Sequence, residues 1–183
     1  IWNAENTYYE YPKHTSRFEI NAPKSGETFT QKWNEKWGDD KVFQYAATCQ
    51  NNLKSVFEFY SSMVKVNSLQ ENSAGYRGLD GKNSVPIRVH MNAGLSNGDV
   101  KKGFDGAAWL NKGSEDGGIL VFGSGENYFK QTAASLGMVA HEYTHGIVAH
   151  TSKLLGTGES RIINEALADI MAVAISYHVK GES

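Results

Sequence analysis

One apolar stretch near the end of the chain holds two histidines and a glutamate, and it constrains the fold more than any other feature. The stretch is SLGMVAHEYTHGIVAH, residues 135–150. Its apolar residues surround the polar ones, which predicts a helix over about residues 134–151 that is buried on nearly all sides. His141 and His145 lie one turn apart on such a helix, so both imidazoles point to one side. Because unpartnered polar groups are costly in a core, the pair predicts a metal ion between them.

A second predicted helix, over about residues 160–179, offers the missing ligand. Glu165 follows His145 by twenty positions, near the start of this helix. Two histidines and a glutamate with one open position form a recognised catalytic zinc arrangement. We therefore expect His141, His145 and Glu165 to bind one zinc ion. Asp169, one turn after Glu165, could accept a hydrogen bond from the outer nitrogen of a ligating histidine.

Glu142 lies beside the expected ligands without having to be one of them. On a helix it is about 100° round from His141 and nearer to His145. That is the place for a general base acting on a zinc-bound water. A random H-E-x-x-H run is expected in roughly one chain in a hundred or fewer, so the second helix is the stronger support for zinc.

The residues before the two helices predict a mainly β region, residues 1–133, with one helix over about 40–63. The predicted strands are TSRFEI, ETFTQKW, VPIRVHM, GAAWL and GGILVFG. Glycine-rich turns between the later strands favour an antiparallel meander. The order of elements indicates an α+β fold in one domain, residues 1–183: an antiparallel sheet lobe followed by two zinc-bearing helices over 134–183.

Composition excludes some classes of partner. The formal net charge is −2 and no basic run is present, which argues against nucleic acid or an anionic membrane. We expect no segment long and apolar enough to span a membrane. Cys49 is the one cysteine and falls at an apolar helical position, so we interpret it as a buried small hydrophobe. The oligomeric state is not predicted.

Three sequence runs resemble the thermolysin family of zinc metalloendopeptidases. HEYTH followed by NEALAD resembles the family's H-E-x-x-H … N-E-x-x-x-D pattern. GESRIINEALADI is similar to its G-E-S-G-A-x-N-E-A-x-S-D run, and GAAW followed by VFGSGE is similar to its N-A-x-W … V-Y-G-D-G strand pair. The similarity covers roughly residues 40–180. It implies a fold like the N-terminal lobe of thermolysin.

The resemblance also implies an activity. The chain would hydrolyse peptide bonds with a zinc-activated water, and Glu142 would be the general base. Asp169 would orient His141, and Asn164 would hold the other liganding histidine. Secretion follows from the same analogy alone.

An extended peptide substrate is expected along the strand that contains Ala107 and Trp109, because an exposed strand edge can pair with a peptide backbone. Packing of Trp109 in the core is the other interpretation of that residue.

The sequence departs from the family at several positions. Gly106 replaces an asparagine that grips the substrate, and Gly156 replaces a tyrosine that helps to stabilise the oxyanion. Gly137 and Ser176 replace carboxylates of the family's paired calcium site, so that site is not expected, although an acidic loop could bind calcium elsewhere. The family's helical C-terminal lobe, with its second histidine and its specificity-pocket arginine, would lie beyond residue 183 and is expected to be absent here.

Neither His150 nor His178 can easily replace that second histidine, because helical phase turns both away from the ligands. Three explanations therefore stay open: the N-terminal part of a longer protease, a compact active variant, or an inactive relative that retains zinc. A zinc-dependent peptide-binding module is the alternative from another class. An aminopeptidase is the nearest enzymatic alternative, but we find no convincing acidic motif to anchor a substrate amine.

Overall fold

The structure is a computed structural model that describes residues 2–3, 40–60, 62, 88–97, 100–110, 119–125, 127–154 and 156–181. The strands predicted in TSRFEI and ETFTQKW lie outside these ranges.

One helix follows the first strand, four consecutive strands come next, and two helices end the described chain; the α+β class is confirmed. The strands are β1 (Trp2–Asn3), β2 (Arg88–Asn97), β3 (Val100–Gly103), β4 (Ala107–Leu110) and β5 (Ile119–Gly123). The helices are α1 (Asp40–Phe59), a short 3-10 turn (Thr132–Ala134), α2 (Leu136–Thr151) and α3 (Gly158–Lys180). The three predicted helices therefore occur where their apolar periodicity placed them.

The sheet is mixed, with the order β1-β2-β5-β4 and with β3 paired to β2. The β4–β5 pair is antiparallel, as predicted. Strand β3, which was not predicted, pairs antiparallel with β2, whereas β2 pairs in parallel with both β1 and β5. A simple meander of neighbouring strands is therefore wrong. Every residue of β5 is buried, as suits a strand with a neighbour on each side, while β4 is only half-buried. Within the described chain, β4 is thus an edge strand of this sheet.

Helix α1 fixes the position of α2. The Tyr60 hydroxyl, just after α1, lies 2.6 Å from the Thr144 hydroxyl, and its ring stacks on Tyr143 with centroids 5.8 Å apart. At the start of α2, the Asn52 side-chain amide donates to the carbonyls of Ala133 and Ala134, at 3.4 and 3.2 Å. These contacts hold α2 against the core and fix its rotation about its own axis. That rotation determines the direction in which the face with the two histidines points.

The outward surface of α3 is apolar. The large hydrophobic side chains exposed on it are Ile162, Ile163, Leu167, Ile170, Val173, Tyr177 and Val179. By length and composition α3 could cross a membrane, and only 11% of its apolar window is buried, so the expectation that no segment passes this test was wrong. Charged residues are confined to a few positions of the helix, which is why its mean hydropathy is high. The helix ends at Gly181, whose φ of 66° is left-handed, a backbone conformation that favours glycine at the end of a helix.

Candidate metal centre

Three side chains from α2 and α3 converge on one point. The Nε2 atoms of His141 and His145 lie 3.0 Å apart, and each is 3.4 Å from Oε2 of Glu165. All three ligand atoms lie within 4.8 Å of one another. The helical spacing of the histidines brings both rings to the face of α2 that contacts α3. The three residues expected to bind zinc are therefore brought together.

The outer ring nitrogens have acceptors that determine which tautomer each histidine adopts. His141 Nδ1 donates to the Asp169 carboxylate at 2.9 Å, and His145 Nδ1 donates to the Asn164 side-chain carbonyl at 2.9 Å. With the proton on Nδ1, each neutral ring presents an unprotonated Nε2 to the other. Two lone pairs that face each other at this distance repel, and a cation between them would relieve the repulsion.

The spacing of these atoms suits a tetrahedral zinc ion. Zinc binds imidazole nitrogen and carboxylate oxygen at about 2.0–2.2 Å, which puts tetrahedral ligand atoms about 3.4 Å apart. Both distances from Glu165 Oε2 equal that value, and the distance between the two Nε2 atoms is slightly shorter. The donor set of two histidines and one glutamate is that of catalytic rather than structural zinc sites. The residues present therefore fit this metal.

Glu142 is buried next to this group, with 7% of its surface exposed. Burial raises the pKa of its carboxyl to about 7. The electrostatic interaction with His145 and a hydrogen bond from the Trp109 backbone lower the pKa, and the Glu165 carboxylate raises it further. The carboxylate is thus held by the edge of the sheet on one side and faces the metal-binding groups on the other.

The hydrogen bond from Trp109 also shows how β4 is oriented. The Gly123 amide donates to the carbonyl of Gly106, so even-numbered positions of this strand direct their backbone groups toward β5. Ala107 and Trp109 therefore direct theirs toward the opposite edge, where the Trp109 N–H meets Glu142. The two residues expected to bind substrate are those whose backbone faces the site.

A cavity of ≈ 580 Å³ opens over the convergent side chains. Its lining comprises Ala107, Ala108, Trp109, His141, Glu142, His145, Ala149, Leu154, Gly156, Arg161, Asn164 and Glu165. Sequence reasoning missed Arg161 as a member of this wall. A signal for it exists, because Arg161 precedes Glu165 by one helical turn and so shares its face.

Gly106 and Gly156, where the resemblance to the thermolysin family implies an asparagine and a tyrosine, carry no side chains. A Cβ on Gly106 would lie 2.7 Å from the Phe104 ring, so an asparagine cannot be accommodated there unless that ring moves. A Cβ on Gly156, in contrast, would have no atom of the described residues within 4 Å, so this part of the wall is open. A side chain is therefore sterically blocked at Gly106 but could be accommodated at Gly156.

Gly137 and Ser176, where the same resemblance implies calcium ligands, lie close together and carry no carboxylate. A Cβ on Gly137 would lie 3.9 Å from the Ser176 hydroxyl, so these residues face each other across α2 and α3. His178 packs its ring edge-on to Phe59, with centroids 5.3 Å apart, which gives it a packing contact. The side chains of His150 and His90, and the whole of His14, lie outside the described residues.

Comparison with known proteins gives a family and a fold. The family of thermolysin metallopeptidase catalytic domains matches residues 2–149, a range that includes His141, Glu142 and His145. Neutral protease B of Bacillus subtilis (strain 168) is 30% identical over 127 residues, which cover 69% of this chain and 19% of that protein. Neutral protease NprE of Bacillus pumilus is 27% identical over 127 residues, covering 68% of this chain and 34% of that protein.

A solved structure, the precursor of protealysin, a metalloproteinase from Serratia proteamaculans, has a similar fold. The TM-score is 0.54 at 16% identity, over 98% of this chain and 43% of that one. The chain thus spans about a third or less of the two curated relatives and less than half of this structure. Since the family match extends over most of its residues, the chain belongs to the thermolysin metallopeptidases.

Proposed function

We propose that the protein is a zinc-dependent endopeptidase with Glu142 as its general base. The observation that supports this most strongly is the convergence of His141, His145 and Glu165, each about 3.4 Å or less from the next, beside a buried carboxylate that is not needed as a ligand. A purely structural zinc site has four closed ligands and no use for such a carboxylate. Zinc held there would polarise a peptide carbonyl and acidify a water molecule.

The side chains around the ligands have separate tasks. Glu142 takes up a proton from the attacking water and delivers it to the amine that leaves. Asp169 and Asn164 keep the two imidazoles in the tautomer that leaves Nε2 free to bind metal. The Trp109 N–H holds the Glu142 carboxylate in place, so the base cannot rotate away from the cavity.

The substrate is a peptide in an extended conformation. The backbone groups of Ala107 and Trp109 face the cavity from the edge of the sheet, and an added peptide strand could pair with them. The indole ring of Trp109 packs against the core cluster, so its side chain is structural while its backbone lines the site. Under this proposal the two interpretations of Trp109 concern different atoms, packing for the side chain and substrate binding for the backbone.

One observation favours a second candidate, a zinc-retaining peptide-binding module without turnover. The wall at Gly156 offers no side chain where the family's tyrosine stabilises the oxyanion, and an unstabilised oxyanion slows acyl transfer by about 10²–10³-fold. The intact base Glu142 favours the enzyme over this module and over an inactive homologue. No acidic cluster that would anchor a substrate amine lines the described cavity apart from Glu142 and Glu165, which argues against an aminopeptidase.

Hydrolysis of casein separates these candidates. The zinc-loaded protein should cleave casein, a chelator should stop cleavage, and added zinc should restore it. Glu142→Gln should retain zinc and lose activity by at least about 10²-fold. Binding of casein fragments without cleavage by the zinc-loaded wild type would instead establish the binding module.

Secretion is a further part of the proposal and rests on likeness to the family. Detection of the mature chain in culture medium rather than in washed cells would test it. Calcium is not required at the contact of Gly137 with Ser176, because neither residue offers a carboxylate. Thermal unfolding with and without added calcium should therefore show no shift that arises from this pair.

A further inference from the structure

Arg161 is the only arginine or lysine among the described residues that line the cavity. It lies on α3, one turn before Glu165, and so shares the face that meets the metal-binding group. An Arg and a Glu at this spacing often form an ion pair along a helix. Here Glu165 is directed instead to the two histidines, and no described carboxylate lies within 4.0 Å of Arg161. Its guanidinium is therefore available to a ligand in the cavity.

The space around Arg161 also allows a ligand to approach. Arg161 is exposed, and Gly156 on the same wall has no described atom near the position of a side chain. In the run that resembles the family's G-E-S-G-A-x-N-E, Arg161 occupies the place of the second glycine. This chain thus adds a charge at a point where the family pattern has no side chain.

The charges in the cavity favour an anion. Among the residues that line the cavity, the two positive charges of a bound zinc ion would offset the carboxylates of Glu142 and Glu165, which leaves the charge of Arg161 unbalanced; Asp169 lies behind His141 and does not line the cavity. A carboxylate is the usual anion of a peptide, and the planar donors of a guanidinium match its two oxygens. The chemistry of this wall therefore points to a carboxylate on the substrate.

We propose that Arg161 is a specificity-determining residue that binds a carboxylate of the peptide substrate close to the scissile bond. The inference rests on the proposed endopeptidase function. The carboxylate can come from an internal aspartate or glutamate side chain or from the C-terminus of a short peptide. The role is one of substrate binding, so Arg161 is not required for zinc binding or for the proton transfer by Glu142.

Matched peptides test the proposal by kinetics. In the first pair, the residue beside the scissile bond is glutamate in one peptide and glutamine in the other, and both C-termini are amidated. In the second pair, all side chains are neutral, and the peptide ends two residues after the scissile bond in a free acid or in an amide. The wild type should prefer the acidic member of at least one pair, and Arg161→Gln should lower kcat/KM for that member about five- to tenfold while changing its neutral partner less than about twofold. Arg161→Glu should reverse the preference. The pair that responds identifies the source of the carboxylate.

Lys180→Gln, an equal loss of charge at the exposed end of the same helix, is the matched control and should leave the preference unchanged. The preference should also weaken as salt is raised from about 50 to about 500 mM, because the contact is exposed and salt screens exposed charges. Equal losses on acidic and neutral peptides in Arg161→Gln would overturn the proposal.

A binding measurement separates this proposal from the proposed function. Zinc-loaded Glu142→Gln and the double variant Glu142→Gln/Arg161→Gln are titrated with the same peptides by calorimetry. If the double variant binds the acidic peptides more weakly and the neutral peptides equally well, the role of Arg161 is supported even when the wild type cleaves no peptide. Absence of cleavage by the wild type would refute only the endopeptidase function. Unchanged affinity for every peptide in the double variant would refute the role of Arg161 whether or not the wild type is active.

Discussion

The indole ring of Trp109 lies directly on the backbone of Gly146. A Cβ at this glycine would be 2.9 Å from the ring, closer than such atoms approach in folded proteins. The contact joins the edge strand β4 to the middle of α2, one residue after the ligand His145. Since the Trp109 backbone also donates to Glu142, this close approach positions the Glu142 carboxylate relative to His141 and His145.

Gly146→Ala should therefore destabilise the protein, although alanine is the better helix former. The added methyl group must displace the Trp109 ring, which packs against the core, and such overpacking costs about 1–3 kcal/mol. Urea unfolding measures the loss. Gly137→Ala in the same helix is the control, because its methyl group would meet only atoms 3.9 Å away, and it should stabilise by about 0.5–1 kcal/mol. Equal changes in both variants would contradict the account of the Trp109 contact.

Asp169→Ala should weaken zinc binding by about 10–100-fold without removing a ligand. The Asp169 carboxylate accepts the Nδ1 proton of His141 at 2.9 Å and so keeps Nε2 ready for the metal. Competition with a chromophoric chelator measures the zinc dissociation constant. Glu159→Ala removes an exposed acid in the first turn of the same helix and should leave zinc affinity within about twofold. A similar loss in the two variants would show that overall charge, and not the contact with His141, determines affinity.

Cys49 should be inert toward thiol reagents in the folded protein. Burial raises the pKa of its thiol from 9.0 to about 12, so almost no thiolate exists at pH 8. A disulfide reagent should therefore modify native protein at a negligible rate and denatured protein completely. Because the folded state holds this proton more tightly, its contribution to stability is complete below pH 9 and is lost as pH rises toward 12. In Cys49→Ala, the decline of unfolding free energy above pH 9 should be shallower; an equal decline would contradict the assignment.

The sequence was sufficient to predict features that depend on local geometry. His141 and His145 are four positions apart, so any helix brings them to one face. Glu165 could be placed because the helix that contains it follows α2 after a short connection. The apolar periodicity of α1 likewise predicted where that helix occurs.

Features that depend on long-range contacts could not be predicted in this way. The parallel pairing of β2 with β5 results from the placement of β4 outside β5, and no local pattern records that order. The contact of Trp109 with Gly146 joins a strand to a helix and depends on the position of β4 at the edge of the sheet. The apolar surface of α3 was not predicted, because the polar residues Asn164, Glu165 and Asp169 interrupt the run of hydrophobic residues in this helix.

Zinc stoichiometry tests the central claim most directly. Protein stripped with a chelator, dialysed against zinc and then against metal-free buffer should contain about one zinc ion per chain by elemental analysis, as one His₂Glu site requires. The variant that combines His141→Ala with His145→Ala should contain none, while its circular dichroism spectrum stays that of an α+β protein. Wild-type protein that retains no zinc, or a double variant that retains as much as the wild type, would contradict the assignment of the site.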